Sequence, residues 1–149
     1  MMENTINELK SLLIDVPVRF ASIPSNVVSV KPAPDKWSKK EILGHLCDSA
    51  VNNLSRFIRA QFENEPMNII RYEQNEWVKL NGYKDKPVTE IIEFWKCLNN
   101  QLVYVASRIP EEKLGFKCDK GDGETLTLQE LAEDYIVHMK HHLAQIFND

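Results

Sequence analysis

The sequence predicts an all-α four-helix bundle, and three observations carry that reading. Four stretches repeat apolar residues at helical intervals, two of these stretches open on capping boxes, and none of the chain alternates convincingly as a strand does. The first stretch sets Ile6, Leu9, Leu12, Leu13, Val16 and Phe20 on one face, with Pro17 expected to kink or interrupt the helix. From Ile23 to Asp35, three prolines (Pro24, Pro32 and Pro34) remove amide donors and favour extended backbone, so Val27, Val28 and Val30 read as part of a connection. The second helix begins at Ser38-Lys39-Lys40-Glu41, where the hydroxyl can accept from a first-turn amide while the carboxylate reaches back. It is expected to reach about Glu63, carrying Leu43, Leu46, Ala50, Leu54 and Phe57 toward the core.

A third helix is expected from about Pro87 to Ile109, with Ile91, Trp95, Leu98, Leu102 and Val105 on its stripe and Pro110 as its stop. Gly115, Gly121 and Gly123 then mark a long loop. A second capping box, Thr127-Leu128-Gln129-Glu130, opens the fourth helix, which extends to about Phe147. Between the second and third helices, Asn64 to Lys86 is too long for a hairpin and reads as a crossover with a short helical turn near Glu73 to Leu80. Such a crossover leaves helices two and three parallel and brings helix four back antiparallel to helix two.

The 149 residues suit one domain spanning 1–149, and 43% hydrophobic with 27% charged residues allow a substantial core. With 22 acidic and 18 basic side chains the formal charge is −4, and no lysine-arginine cluster forms, which argues against nucleic acid or a membrane as partner. The absence of a spanning apolar run and of a secretory pattern at the start leads to the expectation of a cytoplasmic protein. Cys47, Cys97 and Cys118 form no CxxC pair, and Cys118 is expected to be the most exposed of them. The tryptophans Trp37, Trp77 and Trp95 read as packing residues.

Chemistry concentrates on the four histidines: His45 on helix two, and His138, His141 and His142 on helix four. At about 1.5 Å per residue, His45 lies roughly 10 Å from the start of its helix and His142 roughly 8 Å from the end of its own, so their heights match in an antiparallel pair. His138 and His142, four residues apart, share a face, whereas His141 is turned about 100° away toward water. His45 falls outside the leucine stripe, on the side of Asp48, Ser49 and Asn52. Three imidazoles from two helices suit a divalent cation, zinc first and nickel next, with manganese or iron also compatible with the ligand type. Three protein ligands leave the cation an open side, as in catalytic rather than structural zinc sites. Asp48, three residues after His45, is the candidate supporting base, or it orients a histidine; Asp134 has a weaker claim of the same kind.

The run from Lys31 to Asp48, containing Trp37-Ser38-Lys39-Lys40-Glu41 and Gly44-His45-Leu46-Cys47-Asp48, resembles the start of the second helix in the DinB/YfiT-like superfamily. The ending His138-Met139-Lys140-His141-His142-Leu143-Ala144-Gln145-Ile146 is similar to that superfamily's terminal metal-binding helix, as is the Gly123-to-Leu128 lead-in. The resemblance implies a four-helix bundle with a long crossover and a divalent metal at the positions of His45, His138 and His142. It also implies a small-molecule substrate, hydrolysis or transfer with a low-molecular-weight thiol such as bacillithiol or mycothiol, and a homodimer. The alternative class is a non-catalytic metal-binding dimeric scaffold or a stress-related small-molecule binding module.

Overall fold

The computed structural model describes residues 2–149. Four long helices form a bundle: α1 (Met2–Ala21), α3 (Lys39–Arg59), α5 (Val88–Ser107) and α6 (Leu128–Phe147). A single turn, α2 (Ser25–Val28), lies between the first two, and a short helix, α4 (Gln74–Leu80), lies in the crossover. Both capping boxes form. The Glu41 amide donates to Ser38 Oγ at 3.3 Å while the Ser38 amide donates to Glu41 Oε1 at 3.1 Å. At the start of α6, the Glu130 amide donates to Thr127 Oγ1 at 3.1 Å and the Thr127 amide to Glu130 Oε2 at 2.8 Å. Each box satisfies two amide donors that the first helical turn leaves orphaned.

Contacts fix the directions of the helices. Lys40 Nζ donates to the Lys86 carbonyl and Cys47 approaches the Ile91 carbonyl, so α3 and α5 run parallel. Lys39 Nζ donates to the Ile146 carbonyl near the end of α6, and Phe57 meets Tyr135 edge-on, so α3 and α6 run antiparallel. The core is continuous: Leu43, Leu46, Trp95, Leu102, Leu128, Met139 and Ile146 are all buried within it.

Besides the α2 turn, which stands where extended backbone was expected around Val27 and Val28, three features depart from the sequence expectation. The first helix runs unbroken through Pro17, because Val16 and Phe20 on either side are buried and tertiary packing outweighs one missing backbone bond. The second ends at Arg59 rather than Glu63, its final turn tightening as the Gln61 and Phe62 amides donate three residues back.

The third is a small sheet where only loop was expected. Strand β1 (Met67–Asn68) pairs in parallel with β2 (Lys117–Gly121), which pairs antiparallel with β3 (Glu124–Thr127). The hairpin turns at Gly121, Asp122 and Gly123, all with positive φ, a conformation that glycine adopts without strain and aspartate tolerates. Cys118 and Leu126 face each other across the hairpin and are buried, so Cys118 is not the exposed thiol; Cys97 is. The strands are too short to show a period, but Asp122-Gly123 is itself hairpin chemistry.

Candidate metal centre

His45 arrives one and a half turns into α3, and His138 and His142 from the last three turns of α6. The antiparallel pairing brings their Nε2 atoms together: His45 to His138 at 3.4 Å and His138 to His142 at 3.1 Å. Donor atoms of all three rings lie within 4.8 Å of one another. A tetrahedral zinc with nitrogen ligands at about 2.05 Å requires nitrogen pairs about 3.3 Å apart, so the spacing fits such an ion. The proton arithmetic also favours a cation. His138 Nε2 faces two other ring nitrogens, and as a neutral imidazole nitrogen it offers one lone pair or one N–H, which can serve only one of them with good alignment.

The surroundings hold these rings neutral and oriented. His45 is fully buried, and burial first, then the neighbouring His142 and His138, bring its pKa down to about 3. Burial likewise lowers His138 to about 4, helped by His142, His141 and Arg56, and lowers His142. Trp37 packs on the His45 ring, centroids 4.9 Å apart and planes 32° from parallel, so this tryptophan does more than fill space. Gln145 Oε1 lies 2.9 Å from His142 Nδ1, and accepting a proton there leaves His142 Nε2 as a lone pair directed at the other two rings. His141 stays outside the group, exposed, with its Nε2 3.4 Å from Gln145 Nε2.

Asp48 is buried but lies apart from the three imidazoles. Its Oδ1 accepts from the Tyr83 hydroxyl at 2.7 Å and from Asn81 Nδ2 at 2.9 Å, which ties α3 to the crossover. Its Oδ2 and His45 Nδ1 are both without a hydrogen-bond partner, so Asp48 does not orient His45 directly. Burial lifts the Asp48 carboxyl to about 6, against the lowering effect of Tyr83 and Asn81. A raised carboxyl favours the protonated folded state, so its effect costs nothing below about pH 4, grows between about pH 4 and 6, and is constant above that. In metal-stripped protein, Asp48→Asn is therefore expected to gain stability relative to the parent as pH rises through this window. The gain has an upper bound of about 3 kcal/mol. Urea melts at pH 4 and 7 measure it, and subtracting the parent removes the shared histidine contribution; a pH-independent difference would refute the ionisation argument.

His138 also stands on the wall of a cavity of about 370 Å³ that the crossover and the hairpin enclose against α3 and α6. Asp134 lines this cavity rather than joining the histidines. The lining includes Arg56 on α3, a polar position outside the apolar stripe, and Arg71 and Tyr72, whose positions depend on the fold of the crossover and so escape periodicity.

The class is thus a helical bundle with a long crossover, built around a three-histidine group able to hold a divalent cation. The chain belongs to the DinB superfamily, whose sequence model matches residues 15–146. A protein of Halalkalibacterium halodurans, called a candidate metal-dependent hydrolase, is 26% identical over 112 residues, or 75% of this chain and 64% of that protein. The chain therefore spans less than two thirds of that relative's length. The structure of YfiT from Bacillus subtilis, described as a candidate metal-dependent hydrolase with an unusual four-helix-bundle topology, matches with a TM-score of 0.87. That match has 19% identity and covers 99% of this chain and 84% of YfiT. The mycothiol-dependent maleylpyruvate isomerase matches at TM-score 0.69 and 11% identity, covering 93% of this chain and 59% of the isomerase. At these identities the two solved structures establish a shared fold.

Proposed function

We propose that the protein is a metal-dependent enzyme acting on a small molecule at His45, His138 and His142, by hydrolysis or by transfer of a low-molecular-weight thiol. The observation that carries this reading is the convergence of three imidazoles, of which His138 stands on the wall of a cavity large enough for a small organic molecule. A divalent cation, zinc or nickel, supplies Lewis acidity that favours deprotonation of a water or a thiol at neutral pH. The chain's own contribution is to hold the rings. Trp37 and Gln145 restrict His45 and His142, and burial keeps protons from competing for the three nitrogens. Asp48, apart from the imidazoles and outside the cavity lining, supports the site in this proposal indirectly, by fastening the crossover to α3 through Tyr83 and Asn81. The names of the curated relative and of YfiT support the hydrolytic branch, and that of the isomerase supports the thiol branch. A cytoplasmic location and a homodimer belong to the same proposal.

The test is turnover by metal-loaded protein against two panels: esters and amides alone, and electrophiles supplied with bacillithiol, mycothiol or glutathione. Saturable turnover in one panel, lost in His138→Ala, is the expected result. Full metal occupancy with no turnover in either panel would leave the non-catalytic scaffold as the better account.

A further inference from the structure

Arg56 and Arg59 lie one turn apart on α3 and are used differently. Arg59 forms a two-pronged pair with Glu63, at 2.8 and 3.0 Å. Arg56 has only neutral acceptors, Asn53 Oδ1 at 3.5 Å and the Ile70 carbonyl at 3.0 Å, and its buried Nε has no partner. Burial lowers its pKa, so this charge is held at a cost that no carboxylate repays. The guanidinium lines the cavity that His138 borders, and its charge reaches that ring. Arg71 and Lys120 add two further cations to the exposed part of the wall, held together by an Arg71 bond to the Lys120 carbonyl at 2.9 Å. Against these three stands Asp134 in the lining, with Glu124 pairing loosely with Lys120 at 3.8 Å. Tyr72, Leu126 and Leu131 provide aromatic and apolar surface for an organic body.

We infer that this cavity is a carboxylate-recognition subsite, in which Arg56 takes the acid group of a small organic anion while its reacting end faces the three histidines. The inference rests on the proposed function for the reacting end, but not for the anion. Arg56 has spent two of its five N–H donors and its Nε–H is buried, which leaves one N–H on each terminal nitrogen for the oxygens of a carboxylate. Asp134 disfavours a dianion in the same space.

Binding can be measured without turnover, which separates this inference from the enzymatic reading. Benzoate, phenyl phosphate and neutral benzamide are titrated calorimetrically into zinc-loaded and zinc-stripped protein, and into Arg56→Ala and Arg56→Lys variants checked for folding by circular dichroism. Benzoate is expected to bind both parent forms at least tenfold more tightly than benzamide. Arg56→Ala should remove that preference, Arg56→Lys should retain part of it, and benzamide binding should not change. Benzoate preference that survives Arg56→Ala, that needs zinc, or that is exceeded by phenyl phosphate would overturn the assignment. If Arg56→Ala fails to fold, full retention of the preference in Arg56→Lys, without loss, would do the same.

Discussion

Zinc-loaded protein is expected to melt about 10 °C above the stripped protein, with one ion bound per chain. A ligand at about a thousand times its dissociation constant stabilises the folded state by about 4 kcal/mol, and a chain of this size gains about 2–4 °C per kcal/mol. The effect is expected to be large because three Nε2 atoms, two pairs of them at 3.1 and 3.4 Å, already converge at the spacing a shared cation needs, so little ordering is left for the ion to impose. His138→Ala removes the central ligand and should lower zinc affinity at least a hundredfold, which cuts the stabilisation to about 1.4 kcal/mol or less and the shift by more than half. His142→Ala should act similarly, while His45→Ala should also lower the baseline melting temperature by opening a cavity against Trp37. His141→Ala is the control and should leave stoichiometry and shift intact, as this ring is exposed and outside the group. Elemental analysis and differential scanning calorimetry decide the matter; a shift of undiminished size in His138→Ala would place the ion elsewhere.

Gly44→Ala is expected to destabilise the protein by about 2 kcal/mol, even though alanine is the better helix former by about 1 kcal/mol. An added Cβ at residue 44 would lie 2.2 Å from Tyr83 Cδ2 and 2.3 Å from Tyr83 Cγ. These are atoms at the root of the ring, so the clash is not relieved by swinging a flexible tip. Tyr83 is buried and its hydroxyl is held by Asp48, so displacing the ring strains the bond that fastens the crossover to α3. Denaturant melts should show a lower midpoint, with zinc still bound at one per chain because the three histidines are untouched. A midpoint equal to or above the parent's would mean that the Tyr83 ring is free to move.

Much of this fold and site is legible from the sequence because its determinants are local. The four long helices follow from apolar spacing, and their starts at Ser38 and Thr127 follow from a four-residue pattern. The histidine trio is readable because a helix has a fixed rise and turn, so a crossover and an antiparallel return are enough to match His45 with His142. What was not legible depends on contacts between distant segments. Met67 finds Cys118 and Asp48 finds Tyr83 only once the bundle exists. The sheet's strands are two, five and four residues long, too short for alternation to stand out from loop. The role of Arg56 is defined by what does not pair with it, and unpaired charge has no sequence signature.

The parallel pairing of Met67–Asn68 with Cys118–Asp119 joins the two longest connections by backbone bonds. The bundle's rods carry the imidazoles, whereas the stitched connections carry Arg71, Tyr72 and Lys120 around the cavity. The cavity is therefore walled by both layers: Arg56, Asp134 and His138 stand on the rods, and the connections close the opposite side. A change at Arg71, Tyr72 or Lys120 alters the far wall of the cavity while the helices that carry the three imidazoles keep their own backbone bonds.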